Sequence, residues 1–260
     1  MKKPIYFRKY SQSAEQSFIV QYAEVMHTYN KFHYHKEFEI LYNIENNGTR
    51  FIGDSIHRFK NGDLVLVGPY IPHYWHSDDC YFEGNKNLKA KVILIQFEKC
   101  FLGEEFIYLP EMRIICKLFI QASHGIHFMG DDAKRIGKMI MKLSKEEGWN
   151  KVLLMINILC SMSEAEDVEL LSSRGFTAAS QYANQEKISE IFNYMISNHA
   201  NEVKLEDVAE KANMNPSAFC RYFKKSTSKT FIQALNEIRI GFACRLIINT
   251  DLSISEIAFD

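Results

Sequence analysis

What this sequence lacks is an excess of either charge. Its 31 lysines and arginines stand against 32 aspartates and glutamates, a formal net charge of -1. It is no bulk polycation, so any hold on nucleic acid has to come from a local basic patch. Cysteine motifs are missing too. Cys80, Cys100, Cys116, Cys160, Cys220 and Cys244 form no Cys-x-x-Cys pair and none sits with histidines at zinc-finger spacing, which points to free thiols in a reducing compartment. The first ten residues are polar and charged with no apolar core, so no signal peptide is expected. The longest apolar run, Val152 to Leu159, is broken by Asn157 and is far too short to span a bilayer. These absences predict a cytoplasmic chain with no membrane partner.

What is present suffices for two filled cores: 260 residues, 47% of them hydrophobic. The first hundred residues predict short strands at Ile40–Tyr42, Gly62–Val67 and Lys91–Phe97, set apart by turn signals at Asn46-Asn47-Gly48, Gly53-Asp54, Asn61-Gly62 and Gly68-Pro69. That pattern fits an antiparallel barrel or sandwich. After about Gly103 the period changes. Met112, Ile115, Cys116, Phe119 and Ile120 recur at helical spacing, as do Ile136, Met139, Ile140 and Leu143, and then Val152, Met155, Ile156 and Leu159. Three helices follow, with Gly130 and Gly148 as breaks. The expected organisation is α+β: a barrel over 1–103, a helical block over 104–171 that packs on the barrel, on a second copy of itself, or both, a polar linker over 172–184, and a helical unit over 185–260.

The sharpest pattern lies between 205 and 223. Leu205, Val208, Ala209 and Ala212 share one face of a short helix, and Asn213-Met214-Asn215 turns the chain. Asn215 suits an N-cap and Pro216 the first helical position. The next helix buries Phe219, Tyr222 and Phe223, and turns Ser217, Cys220, Arg221 and Lys224 outward. Two short helices and a tight turn make a helix-turn-helix, with the small Ala209 at the crossing. From Lys211 to Arg245 seven basic residues meet Glu237 alone, the local patch that phosphate contacts need. A long helix capped by Thr230 follows, through Phe231, Leu235, Ile238, Phe242 and Leu246. Ser253 and Glu256 then form a capping box, and Ile254-x-x-Ile257-Ala258 repeats Leu205-x-x-Val208-Ala209. A second helix-turn-helix begins there, and its reading helix would lie beyond Asp260.

These segments, Leu205-Glu-Asp-Val-Ala, Met214-Asn-Pro-Ser-Ala-Phe-Cys-Arg-Tyr-Phe-Lys-Lys, Arg239-Ile-Gly-Phe-Ala-Cys-Arg-Leu-Ile and Ile254-Ser-Glu-Ile-Ala, resemble the AraC/XylS family of bacterial transcription regulators. The resemblance covers roughly Glu186 to Asp260 and, less tightly, the front half. It implies two helix-turn-helix units on a long connecting helix, the second incomplete here. It places Ser217, Cys220 and Arg221 toward bases and Lys224 and Lys225 toward phosphate. It also implies partners: double-stranded DNA, a small effector such as a sugar, a second copy of the chain and RNA polymerase.

In the front half His33, His35 and Glu39 are all odd-numbered and would share one face of an extended strand, and His73 follows the Gly62 strand. The stretches His33-Tyr-His-Lys-Glu-Phe-Glu and Gly62-Asp-Leu-Val-Leu-Val-Gly-Pro-Tyr-Ile-Pro-His-Tyr-Trp resemble the cupin-like sensor barrels of such regulators. His33, His35, Glu39, Tyr42 and His73 are the expected effector contacts, and Tyr74 and Trp75 offer aromatic walls or packing. The expected function is that of a ligand-responsive DNA-binding regulator without cofactor or catalysis. The alternative is a metal-dependent cupin enzyme of dioxygenase or isomerase type, with a divalent metal on His33, His35, Glu39 and His73, a donor set that suits iron, manganese, nickel or zinc.

Overall fold

The computed structural model describes residues 16–28, 33–83, 88–173, 185–227, 229–249 and 252–259. Seven strands open the fold: β1 (Phe18–Val25), β2 (Phe38–Glu45), β3 (Gly48–Ile52), β4 (Ser55–Phe59), β5 (Leu64–Val67), β6 (His73–Ser77) and β7 (Ala90–Phe97). Helix α1 (Arg113–Gln121), strand β8 (Ile126–Phe128), helices α2 (Gly130–Leu143) and α3 (Gly148–Ser163), and strand β9 (Val168–Leu170) follow. The strands form two antiparallel sheets, ordered β1-β7-β2-β5-β8-β9 and β4-β3-β6.

The larger sheet is covered on both faces, which explains why its strands read as continuous apolar runs. Ile40, Leu66, Ile93 and Ile95 face the helices and pack with Ile115, Phe119, Ile136, Ile140 and Leu159. Leu41, Val65, Val67 and Leu94 face the smaller sheet and meet Ile52, Phe59 and Trp75. Each fully buried side chain of this kind contributes about 1.5–3 kcal/mol, so the barrel and its helical cover form a single cohesive block.

The three expected helices are present, and Gly130 (φ 58°) and Gly148 (φ 57°) open α2 and α3 in the left-handed region that favours glycine. Two details differ from the sequence expectation. Strands β8 and β9 lie beyond residue 103 yet extend the larger sheet; at three residues each they are too short to show a period of two. Ile120 is 72% exposed, whereas Leu118 is buried with Ile115 and Phe119. The i, i+3, i+4 face of α1 therefore runs through Leu118. Of the expected linker, Ser172 is buried and donates its N–H to the His124 carbonyl at 2.7 Å, Ser173 donates to Asp54 Oδ1 at 2.9 Å, and 174–184 lies outside the described residues.

The C-terminal part is all helical: α4 (Gln185–Ser197), α5 (Leu205–Lys211), α6 (Pro216–Thr227), α7 (Phe231–Asn249) and α8 (Ile254–Phe259). Its core joins Ile188, Met195, Val208, Phe219, Phe223 and Ile238, and takes in Phe51 and Tyr74 from the outer face of the small sheet. The small sheet is thus a shared wall, with the barrel interior on one side and the C-terminal helices on the other.

Candidate DNA-reading helix and ligand cluster

The turn between α5 and α6 is built as its sequence suggests. Asn213 takes φ 52°, tolerable for asparagine, and the Met214 N–H returns to the Ala209 carbonyl at 2.9 Å. Asn215 caps α6 by accepting the Ala218 N–H on Oδ1 at 2.8 Å, and Pro216 is the first helical residue. Ala209 and Ala212 are buried, which lets the two helices meet closely. Phe219 and Phe223 are fully buried, and Tyr222 is half-buried with its phenol pushed up to about 12 by burial. Ser217, Cys220, Arg221 and Lys224 form the exposed face of α6. The side chain of Lys225 lies outside the described residues.

The basic patch is smaller than the residue count suggests. Lys229 is drawn inward, donating to Glu237 Oε2 at 2.5 Å and to the Asp54 backbone carbonyl. Arg239 donates to the His199 and Asn201 carbonyls, both at 2.9 Å. These two cations hold the C-terminal helices together, and Lys229 ties them to the barrel. Among the described side chains of the patch, Lys211, Arg221 and Lys224 remain exposed for a polyanion. At the far end, Ser253 and Glu256 make the expected capping box, with Ser253 N–H on Glu256 Oε2 at 2.8 Å and Glu256 N–H on Ser253 Oγ at 3.3 Å.

Inside the barrel, His33, His35, Glu39 and His73 converge, with one donor atom from each within 4.8 Å of the others. His33, His35 and Glu39 do not share one strand as expected. Only Glu39 lies in β2; His33 makes an isolated bridge to His73 across the barrel, and a bend at Lys36 and Glu37 brings His35 back over Glu39. His35 Nε2 is 2.9 Å from Glu39 Oε2, and His73 Nε2 is 3.7 Å from Glu39 Oε1. Burial works against charge on Glu39, but the surrounding His73, His35 and His33 outweigh it and hold the carboxyl at about 2. Burial pushes His73 down to about 3, so its ring is neutral at physiological pH. Burial also opposes a proton on His35, but the hydrogen bond and charge of Glu39, aided by Glu37, raise its pKa.

Tyr42 does not join this cluster. It lies on the opposite face of β2, where its ring covers Gly137 of α2 so closely that a Cβ added there would sit 2.5 Å from Cζ. Strand alternation decides this: an even-numbered residue of β2 faces the helices when Glu39 faces inward. Tyr74 likewise faces outward, and Trp75 packs in the inner core. The residue the sequence reading missed is Gln96, opposite Glu39 in register, which donates to Glu39 Oε2 at 2.9 Å. A lone polar residue inside the apolar strand Val92-Ile-Leu-Ile-Gln-Phe97 was its signal.

Two family models match the chain: an AraC-like ligand binding domain over residues 16–95 and a helix-turn-helix domain over residues 208–260. The chain belongs to the AraC/XylS family. It is 24% identical over 233 residues to the HTH-type transcriptional activator RhaR of Mannheimia succiniciproducens, covering 87% of this chain and 76% of that one. Similar solved structures include ToxT from Vibrio cholerae, at 12% identity, 94% and 88% coverage and a TM-score of 0.36. The AraC-like transcriptional activator CuxR gives 8% identity, 80% and 68% coverage and a TM-score of 0.36. A Cupin 2 conserved barrel domain protein from Salinispora arenicola gives 14%, 36% and 74%, and 0.27.

As an AraC/XylS regulator the protein is a ligand-responsive DNA-binding protein, with its ligand-binding domain in the β-rich front half and its DNA-reading unit in the helices behind. Among the described residues no helix is long and apolar enough to cross a membrane. The four side chains also have the chemistry and spacing to hold a divalent metal. The Nδ1 atoms of His73 and His35 face the Ile71 and Glu37 carbonyls at 2.7 and 3.1 Å, so each donates from Nδ1 and directs Nε2 at the cluster. Buried His73 Nε2 has no hydrogen-bond partner there. His33, His35, Glu39 and His73 would hold such an ion, which would supply a Lewis-acidic centre there.

Proposed function

We propose that this regulator reads double-stranded DNA with α6, turning Ser217, Cys220 and Arg221 to base edges and Lys224 and Lys225 to phosphates. A small effector held by His33, His35, Glu39 and His73 sets how α6 is presented. The protein acts by binding, not by catalysis. The observation that carries the reading is the capped α6 itself: Phe219 and Phe223 are locked into the core, which fixes the opposite face and its Arg221 in the solvent. An arginine held there reaches guanine O6 and N7 in bidentate fashion from the major groove.

The test is selection from a randomised DNA pool, followed by titration of the selected site. Arg221→Ala should weaken specific binding by about 1–3 kcal/mol and relax preference at one position. If no sequence is enriched, or if Arg221→Ala weakens every sequence equally, base reading by α6 is wrong. Two copies should pair through the exposed apolar residues of the helical cover, Ile114 and Ile120 on α1 and Trp149 and Leu153 on α3, of which Trp149 is 71% exposed. Side chains of this size at the surface mark an association face. Sedimentation that shows monomer alone at micromolar concentration would remove that part.

A further inference from the structure

Strand β6 has two faces, each touching a different half of the protein. His73 points into the cluster and Trp75 into the inner core, while Tyr74, only 2% exposed, packs in the core of the C-terminal helices with Ile188, Phe219 and Phe223. Neighbouring β3 repeats the arrangement, with Ile52 inside and Phe51 outside against the same helices. Successive residues of a strand point to opposite faces, so what fixes His73 also fixes the backbone that carries Tyr74.

The ligand that can fix His73 is small. The four donor atoms lie within 4.8 Å of one another, too close to admit an organic ring between them. Bonds of about 2.1 Å to one central ion put donors roughly 3 to 4.2 Å apart, so the widest pair has to close by about 0.6 Å or more. Three imidazoles and one carboxylate favour a first-row transition metal over calcium or magnesium, which prefer oxygen. His73 Nε2 is buried without a hydrogen-bond partner, and its ring is held through Nδ1 by the Ile71 carbonyl.

We propose that a divalent first-row transition-metal ion, bound by His33, His35, Glu39 and His73, is the signal this regulator senses, and that β6 carries its occupancy to the C-terminal helices. The proposal rests on the reading of α6 as the DNA-reading helix. Binding draws His73 toward Glu39, and the shift of β6 is felt through Tyr74 at the helices that seat α6. Metal and DNA affinities are then linked reciprocally.

The test uses the full chain stripped with a chelator, titrated with cobalt(II) and zinc(II) in the presence and absence of a DNA site selected from a randomised pool. The expected result is one equivalent of metal, visible cobalt absorption of an imidazole site, and a change in DNA affinity of about 5- to 150-fold, matched by an equal change in metal affinity when DNA is present. Glu39→Gln should lose about tenfold or more in metal affinity. Tyr74→Leu should bind metal normally but lose the linkage; a linkage of undiminished size in that variant overturns the route through β6. The wild-type titration decides even if a variant does not fold. Wild-type protein with no saturable metal binding, or with bound metal that leaves DNA affinity unchanged, overturns the proposal and leaves DNA reading intact. Failure to select any DNA with or without metal removes the reading of α6 itself, whatever the metal content.

Discussion

Removing the cap of α6 is the most direct perturbation of the reading geometry. In Asn215→Ala the Ala218 N–H loses its 2.8 Å acceptor, while the Phe219 N–H keeps the residue 215 carbonyl at 2.9 Å. An asparagine cap contributes about 1 kcal/mol, within a range of roughly 0.5–2. Against that stand the buried rings of Phe219 and Phe223, at about 1.5–3 kcal/mol each. Packing wins, so the helix should persist with a frayed first turn. Asn215 is exposed, so the change opens no cavity. The expected loss of about 1 kcal/mol corresponds to roughly fivefold faster exchange of the amides of Ala218 and Phe219. Native-state hydrogen exchange is the suitable assay, because a chain with two cores need not unfold in one step. Specific DNA should bind a few-fold more weakly, since Ser217 sits in the frayed turn. Asn215→Ser preserves a capping oxygen and should behave almost as wild type. Equal exchange in the alanine variant and wild type, or equal loss in the serine and alanine variants, would refute the role of the cap.

The remaining predictions concern other levels of the structure. Lys224→Ala should weaken binding to all DNA sequences alike and reduce the salt slope by about one, measured by titration at several ionic strengths. Gly137→Ala should destabilise by about 1–3 kcal/mol because its Cβ would meet the Tyr42 ring, and Tyr42→Leu should recover much of that loss; a harmless Gly137→Ala would mean Tyr42 points elsewhere. Arg50→Met takes the guanidinium away from the buried Asp63 carboxylate, which keeps only His127 Nε2 at 3.0 Å, and should cost up to about 3–5 kcal/mol in chemical denaturation, since Arg50 is 1% exposed. Leu153→Lys should shift sedimentation toward monomer while the chain keeps its folded circular-dichroism spectrum, since Leu153 is 50% exposed.

The parts of the fold that were legible share a physical cause: a local rule acting over enough residues. The α5–turn–α6 unit combines an apolar face, an N-cap and an N1 proline within a dozen positions, and the structure realises each of them. The runs Leu64–Val67 and Val92–Ile95 are apolar because both faces of their sheet are covered. Tyr42 was misplaced because residue type, not alternation, was used to assign it; its even number relative to Glu39 already put it on the helix side. His33 and His35 were right as members of the cluster but wrong as strand residues, since the bend at Lys36–Glu37 carries no glycine or proline to announce it. The inward pull of Lys229 and Arg239 depends on carbonyls at Asp54, His199 and Asn201, far away along the chain, and no local pattern encodes such partners.

The placement of those two cations bears on how a nearly neutral chain holds DNA. With Lys229 and Arg239 committed to backbone carbonyls, Arg221 and Lys224 are the exposed cations on the described face of α6. Each phosphate neutralised adds about 0.9 to the salt slope, so one or two contacts give weak electrostatic binding. On the proposed reading such a unit would gain operator affinity from base contacts, and a second linked unit would add to it by binding intramolecularly at an effective concentration near millimolar. On that reading, a ligand that changes how the small sheet seats the helices would act on the geometry between linked units. Small displacements at the shared wall of Phe51 and Tyr74 would then matter, because two linked units would have to reach their grooves at once.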